Sequence, residues 1–225
     1  MRIESGLPEK LLNKYEFYDY GHAIEILSNT YAQEWDDLKT CLEMFNISKA
    51  DIIASGGNKS SIPKVFDSIL FPKGWKEVRI TADLLIKKGE RGSRSGSQGF
   101  KPDRTEEITV DGYIDGHNID FVKGQVAFDL EWNSKDQTFD RDLLAMRNYF
   151  DARIIDVGVI VTRSAELNEV FASLGEEIKK KYGASTTWMG KLEPRLLARR
   201  NGGCPILAIG IRPRCITDYS KNGGM

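Results

Sequence analysis

Histidine and cysteine are scarce in this chain, with two and three residues respectively out of 225. His22 and His117 lie far apart, which excludes a His-rich metal site and leaves no evident Ser-His or Cys-His pairing for nucleophilic hydrolysis. Cys41, Cys204 and Cys215 fit no zinc spacing, and their odd number argues against a disulfide framework. Any metal would therefore be held by oxygen, which favours Mg²⁺, Ca²⁺ or Mn²⁺. Long apolar runs are missing too. No stretch approaches the ~20 residues that cross a bilayer, and the first residues lack the apolar core of a secretory signal. Residence in the cytoplasm, away from membranes, is the expectation. Net charge is also small: 32 basic residues against 33 acidic leave −1, which argues against a protein that coats nucleic acid indiscriminately.

The distribution of charge is less even than its sum. Residues 87–104 carry six basic side chains against two acidic, and residues 191–214 carry six against one. Either stretch could grip phosphates or simply face solvent. Residues 87–104 are also rich in Gly and Ser, and read as a mobile basic loop.

Periodicity predicts a helical region over 21–45, broken near Ser28-Asn29, with Asn29 or Thr30 as a cap and Tyr31, Trp35, Leu38, Leu42 and Phe45 on one face. A polar loop follows over 55–61, and Pro63 can open a short helix. Strands are expected over 78–86, 108–114, 119–122 and 126–132, with turns at Asp115-Gly116 and Lys123-Gly124. Phe139, Leu143, Met146 and Phe150 mark a helix over 139–150. Residues 154–161 and 205–211 are nearly all apolar, as in strands buried on both faces. Between them Ser164 is placed to cap a helix carrying Leu167, Val170, Phe171, Leu174, Ile178 and Tyr182. The fold class is therefore α/β: one domain over 1–225, with a mixed sheet flanked by helices.

One hairpin carries the candidate chemistry. Asp129 and Glu131 are two apart on a strand and point to the same face, and Asp120 lies on the preceding strand. Three carboxylates on one face repel each other, and a divalent cation relieves that cost and can activate a water against a phosphate. The spacing alone does not separate such a site from a solvent-facing acidic strand, because 33 acidic residues in 225 make triplets of this form common. Two features favour the site: the acidic strand is otherwise apolar, and the polar cluster 133–137 follows it directly.

Several blocks along the chain resemble the BglII/BstYI group of type II restriction endonucleases, which share the PD-(D/E)xK nuclease core. They are residues 18–27 (YDYGHAIEIL), 74–77 (GWKE), 120–123 with Val126-Ala127, 155–159 (IDVGV) and 205–211 (PILAIGI). The resemblance implies a homodimer that hydrolyses double-stranded DNA at a palindromic site with a GATC core, using Mg²⁺ and leaving 5′-phosphates. It also implies a cognate DNA methyltransferase in the same cell. Asp120 matches the family's metal-binding aspartate. Asp129 stands where relatives have Glu, and Glu131 where they have Gln, an arrangement closer to the Glu-x-Glu of the related BamHI fold. By the same resemblance Asp120, Asp129 and the Leu130 carbonyl bind metal, and Glu131 handles the water or a second metal. Glu77 is a candidate fourth carboxylate or an exposed helix-end glutamate. Asn133, Ser134 and Lys135 fall on one base-reading segment, and Ser185, Thr186 and Thr187 on another; ordinary loop polarity is the competing reading for both. Arg195, Arg199 and Arg200 are phosphate contacts or salt-bridged surface. The altered Asp129 and Glu131 leave room for a DNA-binding protein of this fold with impaired cleavage. The helices over 30–45 and 139–150 could supply a dimer interface.

Overall fold

A computed structural model describes residues 2–3, 5–54, 61–90 and 104–219. The chain divides into two units, one formed by 1–78 with 119–225 and the other by 79–118. In chain order the first unit begins with β1 (Arg2–Ile3), α1 (Glu9–Lys14), β2 (Tyr15–Tyr20), α2 (Ala23–Asn29), α3 (Ala32–Met44), α4 (Lys49–Ile53), α5 (Ser61–Leu70) and β3 (Lys76–Arg79). The second unit holds β4 (Ala82–Glu90) and β5 (Arg104–Ile114). The first unit resumes with β6 (Asn118–Lys123), β7 (Val126–Glu131), α6 (Thr138–Asp151), β8 (Val157–Arg163), α7 (Leu167–Ser173), α8 (Glu176–Lys181), α9 (Met189–Leu197) and β9 (Ile206–Ile211).

Seven strands form one mixed sheet in the order β1-β2-β9-β8-β7-β6-β3. β8 runs parallel to both β7 and β9, and all three strands are buried along their whole length. That is why their sequences read as continuous apolar runs rather than alternating ones. β2 and β6 close the parallel core on its two sides as antiparallel partners.

The carboxylate-bearing hairpin is held from one face by aromatic packing. Phe121 and Phe128 are register partners with ring centroids 5.2 Å apart. Phe66 of α5 lies 5.7 Å from Phe128, Phe45 4.8 Å from Phe66, and Phe71 5.3 Å from Phe121. Period-two alternation then turns Asp120, Ala127, Asp129 and Glu131 to the opposite face. α6 packs on β7 there, burying Phe139, Asp142, Leu143, Met146 and Tyr149. A side chain at Gly158, the β8 partner of Ala127, would sit 2.6 Å from Met146 Sδ. The glycine lets this helix come down on the sheet. A second clamp holds the hairpin from its turn. Asp37 of α3, itself buried, accepts hydrogen bonds from Lys123 (2.7 Å), Lys73 (3.0 Å) and the Trp75 indole (3.2 Å).

The structure moves several expected boundaries. The strand expected over 78–86 is two strands, β3 and β4, interrupted at Ile80-Thr81. Of the basic loop expected over 87–104, Lys87–Glu90 instead continue β4 and Arg104 begins β5, while 91–103 lie outside the described residues. Most of the polar loop expected over 55–61 also lies outside them. The hairpin turn is Gly124-Gln125, not Lys123-Gly124, because Lys123 pairs with Val126 and Gly124 takes φ 55°. Ser164 does not cap a helix. The helix expected after it is two, α7 and α8, parted at Gly175 with φ 113°, a conformation that side-chain-bearing residues resist. In the second unit β4 and β5 pair antiparallel, with Ile86 opposite Ile108 and both exposed.

Candidate active site

The hairpin register, continued by one residue from Phe121 and Phe128, sets Asp120 opposite Asp129. The two carboxylates are knitted to the strands by reciprocal bonds. The Asp120 amide donates to Asp129 Oδ1 at 2.9 Å, and the Leu130 amide donates to Asp120 Oδ2 at 3.1 Å. Asp120 lies on the open side of the cluster, whereas Asp129 and Glu131 are buried at 3 % and 8 % exposure. A hydroxyl of Thr162 donates to the Glu131 carbonyl at 2.7 Å and fixes the end of β7 against β8.

A fourth carboxylate comes from α6. Asp142 is 1 % exposed, and its charge raises all three hairpin carboxyls. Burial is the largest cause for each of them. Asp129 is held well above the usual range by burial, then by Asp142 and Asp120. Glu131 is pushed up to about 8 by burial and Asp142, against a hydrogen bond from the Ser134 side chain that pulls it down. Asp120 is raised by the protein packed around it and by Asp142, Glu77 and Asp67, while the Leu130 amide opposes the rise. Glu77 is exposed on β3, the strand beside β6, with its charge felt at Asp120.

Asp129 Oδ2 and Glu131 Oε2 are buried with no hydrogen-bond partner among the described residues. A desolvated carboxylate oxygen without a donor is costly, and hard cations are bound by oxygens of this kind. The donor set is all oxygen and so fits Mg²⁺. Among the described residues no three side chains of metal-ligating type already converge on one point; the Asp120 and Asp129 carboxylates are turned to main-chain amides instead.

The two segments expected to read bases are joined to one another. Thr187 N–H donates to the Ser134 carbonyl (2.9 Å), Asp136 N–H to the Ser185 carbonyl (3.0 Å), and Ser134 N–H to Thr187 Oγ1 (3.2 Å). Lys135 and Thr186 form a β-bridge. Thr186 and Thr187 are buried and their hydroxyls serve the protein, so the polarity that marked them in the sequence is internal. Ser134, Lys135 and Ser185 are exposed, and Asn133 is half-buried. Arg195 is likewise committed internally: its fork grips Asp140 of α6 at 2.9 and 3.0 Å and tethers α9. Arg200 also pairs with Asp140, while Arg199 is exposed.

Sequence reasoning missed Asp142. Its signal was the helical spacing of Phe139, Asp142, Leu143 and Met146, which sets a carboxylate on an otherwise apolar face.

Among the described residues no helix is long and apolar enough to cross a membrane. No curated protein matches the chain. A family model described as restriction endonuclease BglII/BglIII matches residues 15–211, a span that contains the whole hairpin, α6, β8 and β9. That family makes the chain a nuclease with DNA as its substrate. The carboxylate hairpin and its mixed sheet thus belong to a member of the BglII/BglIII family of restriction endonucleases.

Proposed function

We propose that the chain is a type II site-specific deoxyribonuclease that cuts both strands of duplex DNA at a palindromic site with a GATC core, by Mg²⁺-dependent hydrolysis leaving 5′-phosphates. The observation that carries this reading is the pair of buried, undonated oxygens on Asp129 and Glu131 beside Asp120. Asp120 and Asp129, with the Leu130 carbonyl, would hold Mg²⁺. When bound, that ion supplies Lewis-acid polarisation of the phosphate and a more acidic water. In its ionised form Glu131 would orient the attacking water and take up its proton, with the Ser134 hydroxyl fixing the carboxylate. Asp142 adds negative charge behind the hairpin and so strengthens the demand for a cation. Glu77 bounds the open side near Asp120.

Asn133, Ser134, Lys135 and Ser185 are the groups left to meet base edges, and Arg199 is left to meet phosphates, with Arg200 able to join it from its exposed pairing with Asp140. Thr186, Thr187 and Arg195 support them from within. A homodimer would match the two-fold symmetry of a palindromic site and bring one site to each strand. The exposed Leu144 of α6 and Leu197 of α9 are surfaces such a dimer would cover. A methyltransferase protecting the same site, and residence in the cytoplasm, complete the reading.

The second reading is a DNA-binding protein with impaired cleavage. It is favoured by Asp120 and Asp129 being engaged by main-chain amides and by Asp standing where relatives have Glu. Incubating the purified protein with a defined plasmid in Mg²⁺ and sequencing the ends separates the two. Discrete ends at one palindrome support the first, and selective binding without nicking in Mg²⁺ or Mn²⁺ supports the second.

A further inference from the structure

Arg163, the last residue of β8, is fully buried. Among the described residues it forms an ion pair with no carboxylate. Its Nε donates to the Thr187 carbonyl (3.0 Å), one Nη to Thr186 Oγ1 (2.6 Å) and the other to the Tyr182 carbonyl (3.5 Å). Its guanidinium lies 5.2 Å from the Phe171 ring centroid and 5.1 Å from that of Tyr182, and the two rings stack at 4.2 Å. Burying a guanidinium without a counter-ion is costly, and burial lowers this one to about 10. A methionine could fill such a space without that cost. What it could not do is hold two carbonyls and a hydroxyl of one loop at fixed angles.

The loop so held, 182–187, is bonded in turn to segment 133–136 through three hydrogen bonds, two of them the pair that bridges Lys135 and Thr186. That segment leaves β7 directly after Glu131, and the Ser134 side chain hydrogen-bonds the Glu131 carboxylate. A continuous chain of contacts therefore runs from the exposed Lys135 and Ser185 to Glu131, with Arg163 beneath it.

We propose that Arg163 is a positioning residue that locks segments 133–136 and 182–187 into a single base-reading unit and, through Thr187 and Ser134, couples correct base contact to the placement of Glu131. This inference rests on the endonuclease reading above. Without the lock each segment could still touch DNA, but the two would move independently of each other and of Glu131. The loss would then fall on discrimination between sites more than on DNA binding as such.

The test uses Thr187→Val, which keeps the buried shape and removes the oxygen that accepts from Ser134, together with Thr187→Ser, which restores it. Arg163→Lys is the third variant, keeping charge but losing the fork. Binding in Ca²⁺ is measured for the duplex site defined by plasmid digestion and for duplexes altered at one base pair. The ratio of the two affinities should fall about tenfold in Thr187→Val, a loss on the scale of one misread base pair. It should fall at least as far in Arg163→Lys and return toward wild type in Thr187→Ser. Equal weakening on both duplexes, with the ratio unchanged in a folded Thr187→Val protein, would overturn the inference while leaving the endonuclease reading intact. A folded wild-type protein that ignores all duplexes would overturn that reading and the inference with it.

Discussion

Replacing Glu131 by glutamine should make the metal-free protein more stable at alkaline pH. Glu131 is 8 % exposed, and burial, followed by the Asp142 charge, lifts its carboxyl from 4.5 to about 8. The folded protein thus keeps a proton that the unfolded chain releases in the ordinary carboxylate range. Stability that is fully present below pH 4.5 is lost as pH rises, until the group ionises near 8. At ~1.4 kcal/mol per tenfold change in proton affinity, the full interval corresponds to about 5 kcal/mol. Glutamine removes that loss but keeps a buried polar amide of its own, so the net gain at pH ~8.5 should be about 2 kcal/mol. For a chain of this length that is ~4–8 °C in Tm. Wild type and Glu131→Gln are melted in EDTA at a series of pH values from about 4 to about 9, which brackets the interval from 4.5 to about 8. The curves should nearly coincide at the acid end and separate as pH rises, with the variant higher. Parallel curves, or a variant that is less stable at the alkaline end, would refute the charge argument on which the metal site rests.

Two further perturbations test how the hairpin is held. Burial alone would raise the Asp37 carboxyl, but hydrogen bonds from Lys123, Lys73 and Trp75 hold it below its usual value. Asp37→Ala strands the Lys123 ammonium and the Trp75 N–H and should cost about 3 kcal/mol in urea denaturation; a loss under about 1 kcal/mol would mean that water replaces the clamp. Gly158→Ala drives a methyl against Met146 Sδ (2.6 Å) and Ile206 Cδ1 (2.7 Å). It should destabilise by about 1–3 kcal/mol, and cleavage should fall too because α6 carries Asp142. An unchanged midpoint would show that Met146 simply swings aside.

Much of the sheet was legible because buried parallel strands and an amphipathic helix leave plain patterns. Residues 126–132 and 205–211 contain the strands observed, whereas β8 is displaced from 154–161: it starts at Val157, after Ile154 and Ile155, and runs on to Arg163. β2 was harder to see: YEFYDY mixes aromatic and acidic residues, and its meaning depends on β9 beside it. The break at Gly175 was hidden by an apolar period that runs unbroken from Leu167 to Tyr182 across two helices.

The site was legible in the same partial way. Alternation along β7 and a short turn suffice to bring Asp120, Asp129 and Glu131 onto one face, whichever pair of residues forms the turn. Asp142 needed the packing of α6 on that face, which no local pattern specifies. Thr186 and Thr187 look like solvent-facing loop residues until Arg163, more than twenty residues earlier in the chain, claims their oxygens.

The central claim, that this carboxylate cluster cuts DNA, is tested most directly by comparing wild type with Asp129→Asn on one duplex containing the identified site. Binding is measured in Ca²⁺ and single-turnover cleavage in Mg²⁺. The account predicts that Asp129→Asn binds the duplex selectively, is at least as stable as wild type without metal, and cleaves at least ~10³-fold more slowly. Cleavage by Asp129→Asn within a few-fold of wild type would place the chemistry elsewhere and contradict it.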